Sequence, residues 1–298
     1  MGTCSMRQLL ALPVGSPVTF QDEPPERKVC WRVTRRCNLS CEHCLAGFKN
    51  LERKDLTPDS RCRVFVNLSS NAVERITWTG GEPTLCKDLP DLVRLCHENR
   101  ILGVITTHGL RLPEQLLAVT NPTLDTFRLS FDGLEETHNH IRRVNGFSRS
   151  IGTIRALVEM GYVVEANITL MRRNVSEVNE LVALLADHGV SRVVLMSLMM
   201  RESALKNGVL EADQKDVQRL LEDLSAEQRI TVAYNDYSEF NDRYVVLESD
   251  GEVFSCSGSH DESFGFAHHA NGAETIARAL AAQTLSHRKM VGRPVCVG

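Results

Sequence analysis

At 298 residues the chain is long enough to bury a large core, so one large domain with an appendage, or two domains, is expected. Its 42% hydrophobic and 24% charged residues are ordinary for a globular protein, and no uninterrupted apolar run approaches the ~20 residues of a membrane helix, which excludes a membrane span. A net charge of -4 argues against nucleic acid as a partner, because polyanion binders carry a basic balance or a basic stripe.

Residues 1–28 contain Pro13, Pro17, Pro24 and Pro25 without sustained periodicity and are expected to form an extended arm. The apolar patch Leu9 to Val14 is broken by Pro13, preceded only by Arg7, and followed by no small-residue cleavage site, so no signal peptide is read. Gly2 and Cys4 are placed as acylation sites often are, yet Met6 stands where a myristoylation motif has Ser or Thr. A cytoplasmic location is therefore expected, where ten cysteines serve as ligands, nucleophiles or small core residues.

From Val29 onward, short β-branched runs alternate with helical patterns. The runs are Cys30–Thr34, Arg75–Trp78, Gly103–Thr107, Thr126–Phe131, Val163–Leu170 and Arg192–Ser197. Between them Thr57-Pro58 reads as an N-cap with Pro at the first helical position, and two stripes, Ile151 to Val158 and Val178 to Leu185, stop at Gly161 and Gly189. Val217, Leu220, Leu221 and Leu224 form a further amphipathic stripe. This alternation predicts an α/β fold, a partial (β/α)6 TIM-like barrel with right-handed crossovers, whose functional groups lie at the C-terminal ends of the strands. After about residue 235, Tyr244–Leu247, a turn at Asp250-Gly251 and Val253–Ser255 predict a hairpin, followed by a helix near Ala273–Ala282. The expected organisation is an N-terminal arm (1–28), a core barrel (29–235) and a small C-terminal α+β cap (236–298).

Two motifs carry chemistry. Cys37, Cys41 and Cys44, spaced C-x3-C-x2-C, follow the first strand, and three thiolates in one loop can hold three irons of a cubane while leaving the fourth open. With His43 as a fourth ligand the same residues suit zinc, so the spacing alone leaves both metals open. The second motif, Trp78-Thr79-Gly80-Gly81-Glu82-Pro83, follows the second strand, and its paired glycines let backbone approach a ligand closely.

In this order, each after a strand, the two motifs resemble the signature of the radical S-adenosylmethionine (SAM) superfamily, with a likeness running from about Val29 to Leu224. The resemblance implies a [4Fe–4S] cluster on Cys37, Cys41 and Cys44, and SAM chelated at the open iron with its amino group held by Gly80, Gly81 and Glu82. It also implies SAM contacts from Thr106, in a Thr-Thr-His-Gly segment where the family pattern has Asn in place of His108. Ser130 of Ser-Phe-Asp-Gly and Asn167 match positions that touch ribose or methionine, Arg142 one that pairs with the SAM carboxylate, and Leu195 and Met196 would flank adenine. An external electron donor such as flavodoxin or ferredoxin is implied as well.

Cys30, Cys62, Cys86 and Cys96 lack ligand spacing and are expected as core residues. Glu248 to Cys256 with Phe264-Gly265 resembles the start of the auxiliary-cluster extension called SPASM or twitch, but only Cys256 and Cys296 lie beyond the barrel, so the expected cap has lost its cluster. His268-His269 is expected as a solvated loop. The function expected is hydrogen abstraction from a small organic molecule, as in the molybdenum-cofactor cyclase and viperin branches. A peptide-modifying maturase is the second enzyme reading, and a non-catalytic zinc or iron–sulfur protein is the reading of another class.

Overall fold

The computed structural model describes residues 27–44, 54–200, 202–225, 229–236, 244–256 and 261–291. Most of the sequence-defined arm and Cys296 lie outside these residues, as does the side chain of Cys256.

The strands are β1 (Lys28–Thr34), β2 (Arg75–Gly80), β3 (Leu102–Thr107), β4 (Asp125–Phe131), β5 (Val163–Leu170), β6 (Arg192–Ser197), β7 (Thr231–Asn235), β8 (Tyr244–Leu247), β9 (Glu252–Cys256) and β10 (Asp261–Phe266). The helices are α1 (Pro58–Ser70), α2 (Leu89–Glu98), α3 (Glu114–Leu117), α4 (Glu135–Arg142), α5 (Phe147–Glu159), α6 (Val178–Asp187), α7 (Glu202–Lys206), α8 (Gln214–Leu224) and α9 (Gly272–Val291). All form around one sheet with the order β10-β9-β8-β1-β2-β3-β4-β5-β6-β7, parallel from β8 to β7 and antiparallel at β8-β9-β10. Among the described residues β7 and β10 stand at its two ends, so the barrel is open.

The six expected strands are β1 to β6, displaced by at most two residues. The unit missed is β7, a short strand that pairs parallel with β6 after α8. The hairpin of the C-terminal part also forms at the expected turn, but β8 pairs parallel with β1 and so extends the barrel's own sheet. A third strand, β10, completes that end, and α9 lies against α1, where Asn67 and Asn71 donate to the carbonyls of Ala267 and Ala273 at 2.8 and 2.9 Å.

Strand alternation divides the sheet into two faces. On the helix side Trp31, Val33, Ile76, Trp78, Phe127, Leu129, Ile168 and Leu195 are buried in one continuous core. Trp31 and Trp78 are register partners whose ring centroids lie 5.3 Å apart, which anchors the two strands whose ends carry the motifs. The opposite, inner face is half-exposed and polar, with Cys30, Thr79, Thr106, Ser130 and Asn167 among its residues. Thr57 caps α1 as expected, its hydroxyl accepting from the Ser60 N–H at 3.3 Å, and no described helix is long and apolar enough to cross a membrane.

Candidate active site

At the C-terminal end of β1 the chain leaves the sheet through Thr34, whose hydroxyl donates to Asp55 at 2.5 Å while the Arg35 N–H donates to the other oxygen of the same carboxylate at 3.0 Å. The cysteine loop that follows is fastened to the end of β2 by backbone: Gly81 N–H donates to Thr34 C=O at 2.7 Å and Glu82 N–H to Arg36 C=O at 2.8 Å. A Cβ on Gly81 would lie 2.2 Å from the Arg36 carbonyl oxygen, and Gly80 has φ +129° with its Cβ position 2.3 Å from the Thr34 carbonyl. The paired glycines are thus required first by the cysteine loop itself, whose backbone occupies the space side chains would take.

Cys37, Cys41 and Cys44 line a cavity of about 170 Å³ together with Gly80, Gly81, Glu82, Thr106, Ser130 and Arg142. Six of the nine positions expected to contact SAM therefore meet the three thiols in one place. Thr79, Thr107 and His108 line it too, though sequence reasoning gave them no such role, and so does His43, which it had weighed as a fourth ligand for zinc.

Glu82 is 2% exposed, and its carboxylate accepts from the Thr84 hydroxyl at 2.8 Å, the Thr107 hydroxyl at 2.7 Å and the His108 N–H at 3.0 Å. Burial pushes the His108 ring below the ordinary histidine pKa despite the pull of Glu82. Its Nδ1 accepts from the Leu110 N–H at 3.1 Å, which puts the proton of the neutral ring on Nε2, where it donates to Asn38 of the cysteine loop at 2.9 Å. The histidine that departs from the family pattern therefore connects Glu82 to the cysteine loop.

Behind the thiols lies a second buried group. Arg142, the last residue of α4, places Nη2 2.7 Å from Asp132, a carboxylate that follows β4 and is 1% exposed, and His43 Nε2 stands 3.6 Å from the same oxygen. Burial pushes the Cys41 thiol up to about 12 and also raises Cys37, with Arg142 opposing both shifts. Leu39 N–H donates to Cys37 Sγ at 3.4 Å, a contact that favours thiolate. Binding of a cationic iron cluster would take up these sulfurs as thiolates and release their protons.

Three positions lie outside the cavity lining. Asn167 is the register partner of Ser130 on the inner face, and its buried carboxamide oxygen has no hydrogen-bond partner. Met196 shares the inner face of β6, but Leu195, one residue earlier, is fully buried in the core beneath the helices. Of the two positions expected to flank adenine, only Met196 presents its side chain to the inner face, because adjacent strand residues point to opposite faces. A larger cavity of about 690 Å³ lies against α8 on the helix side, lined by Tyr234, Val217 and Leu221.

The residues present fit a cubane and SAM. Among the described residues no three His, Cys, Asp or Glu side chains converge to hold a single ion, whereas the thiols of a cubane bind separate irons and need only line a cavity together. Arg142 Nε and His43 Nδ1 are buried beside that cavity without hydrogen-bond partners, donors and acceptors that a polar ligand would satisfy.

Comparison with known proteins follows this geometry. The Fe-coproporphyrin III synthase of Methanosarcina barkeri is 30% identical over 174 residues, 57% of this chain and 44% of the relative. Molybdenum cofactor biosynthesis protein 1 of Drosophila melanogaster is 35% identical over 147 residues, 47% of this chain and 26% of the relative. The chain thus spans less than half the length of these two curated relatives. In structure, SuiB of Streptococcus suis bound to S-adenosylmethionine superposes with a TM-score of 0.69 over 84% of this chain and 65% of SuiB, at 17% identity, a likeness of fold. The Radical SAM superfamily matches residues 31–198, more than half of the chain, and the protein belongs to that superfamily, whose cofactors are a [4Fe–4S] cluster and SAM.

Proposed function

We propose that the chain cleaves SAM reductively and uses the resulting radical to abstract hydrogen from a small organic substrate. The observation that supports this most directly is the meeting of Cys37, Cys41, Cys44, Glu82 and Arg142 on one cavity at the C-terminal ends of the strands. When bound, the reduced cluster supplies one electron to SAM, which releases methionine and a 5′-deoxyadenosyl radical. The three cysteines would hold the cluster, and Gly80 to Glu82 would receive the amino group of SAM where the backbone turns beneath it. Arg142, held in place by Asp132, would direct its free Nε toward the SAM carboxylate, and Thr106 and Ser130 would bound the opposite wall. The buried part of the lining, Glu82, Thr107, His108 and Arg142, would help to keep water from the reacting centre, which protects a radical from quenching. An external one-electron donor such as flavodoxin or ferredoxin is part of this reading, as is a cytoplasmic setting.

A peptide substrate is the second reading, favoured by the fold likeness to SuiB, which has also been solved with its precursor peptide SuiA. In anaerobically reconstituted protein, single Cys37→Ala, Cys41→Ala and Cys44→Ala variants are expected to lose the cluster absorbance and to form no 5′-deoxyadenosine. Retention of SAM cleavage by any one of them would overturn the assignment of ligands.

A further inference from the structure

The turn that follows β3 is pinned by α5. The Ser150 hydroxyl donates to the His108 carbonyl at 2.8 Å, and the Thr153 hydroxyl to the Gly109 carbonyl at 2.7 Å. Gly109 itself has φ +73°, and a Cβ there would lie 2.6 Å from the Leu129 side chain. With the Leu110 N–H on Nδ1, the His108 ring is held in one orientation and one tautomer.

The single ring proton on Nε2 then lies between two acceptors. Asn38 Oδ1 is 2.9 Å away and Glu82 Oε2 is 3.3 Å away, the same Glu82 oxygen that accepts the His108 backbone N–H at 3.0 Å. Asn38 is the residue after Cys37, and Glu82 is the buried carboxylate placed to receive an ammonium. At 7% exposure the ring has little access to water, so what Nε2 gives to one acceptor it withdraws from the other. An ammonium on Glu82 would meet the demand of that carboxylate and leave the Nε2 proton to Asn38. A proton committed to Asn38 would in turn leave Glu82 Oε2 open to the ammonium, because coupling between two sites is reciprocal.

We infer that His108 is a positioning residue that couples the two halves of the site, so that occupation of Glu82 by the amino group of SAM and closure of the cysteine loop through Asn38 reinforce each other. This deepens the proposed function, in which Glu82 receives that amino group, and rests on it. The reach of the side chain is essential. A carboxamide on Asn ends where Nδ1 stands, whereas that of Gln extends to the place of Nε2.

The test is equilibrium binding of SAM to anaerobically reconstituted protein, with affinity referred to cluster-loaded sites. His108→Asn and Asn38→Ala should each weaken SAM binding about 10-fold, although Asn38 stands outside the described lining of the cysteine cavity. The double variant should bind no more weakly than either single one, because both changes break the same link. His108→Gln should stay within about twofold of wild type. A histidine that only fills space predicts additive losses and no advantage of Gln over Asn. If His108→Asn does not fold, Asn38→Ala alone and in the His108→Gln background carries the test, with the same loss expected in both. Unaltered affinity in Asn38→Ala, additive losses in the double variant, or a His108→Gln protein as weak as His108→Asn overturns the inference. Glu82→Gln separates it from the reading beneath. Unchanged SAM affinity in that variant removes both, whereas a loss there combined with any of the three adverse outcomes removes the inference alone.

Discussion

At the scale of single residues, the least anticipated member of the site is Asp132. The Ser-Phe-Asp-Gly segment drew notice for Ser130, yet the buried carboxylate two residues later holds Arg142 at 2.7 Å beside the thiols. Asp132→Asn should weaken SAM binding about 10-fold, since a charge-assisted contact that orients the guanidinium becomes a neutral one. Equilibrium binding to protein of unchanged iron content checks this, and an unaltered affinity would show that Arg142 does not serve SAM. His138 supplies a pH-dependent test. It packs against Phe131 and Phe147, and burial, helped by Arg142, pushes its ring down to about 3 from an ordinary 6.5. The folded protein therefore refuses a proton that the unfolded chain binds below about pH 6.5, so stability falls as pH drops through the window from about 6.5 to 3. His138→Phe should make the slope of unfolding free energy against pH shallower by up to about one proton, measured by denaturant titration at pH 6.5 and 5.5. An unchanged slope would mean that His138 is protonated in the folded state.

At the scale of elements, the contact that matters most joins the cysteine loop to the end of β2. Gly81→Ala sets a methyl group against the Arg36 carbonyl, and backbone cannot yield as a flexible side chain would. The expected cost is about 1–3 kcal/mol, concentrated in a local detachment of the loop. Iron content after reconstitution should drop severalfold while the circular dichroism of the barrel persists; full iron loading would show that the loop tolerates the displacement. The strands themselves were legible as short β-branched runs, and β1, β2, β4 and β5 also alternate buried and half-buried residues with period two, a property written into consecutive positions. Strand geometry also places the side chains of Leu195 and Met196 on opposite faces, which the continuous apolar run of β6 does not reveal. The short strand β7 escaped notice because Thr231–Asn235 borders the break in pattern at residue 235, and its pairing with β6 is a tertiary matter.

For the whole molecule, the C-terminal part does more than cover the barrel. β8 joins β1 in the same sheet, and the turn after it reaches the base of the cysteine loop, where Arg35 Nε donates to the Ser249 hydroxyl at 3.2 Å. Only Cys256 and Cys296 lie in this part of the chain, fewer than the about four cysteines that a protein-ligated cubane requires. We predict one cluster, about four irons per chain, with Cys256→Ala and Cys296→Ala leaving iron content and SAM cleavage nearly intact. About eight irons per chain, halved by either change, would refute this and favour a redox-assisted oxidation. The sequence by itself determined the α/β alternation, the C-x3-C-x2-C grouping of Cys37, Cys41 and Cys44 and the glycine turn that follows β2, because these depend on spacing and period over a few neighbouring residues. The tertiary structure alone decided that Asp132 meets Arg142, that β8 continues the sheet at β1, and that the His108 ring reaches Asn38. Those meetings depend on the register between strands far apart in the chain, which local patterning does not encode.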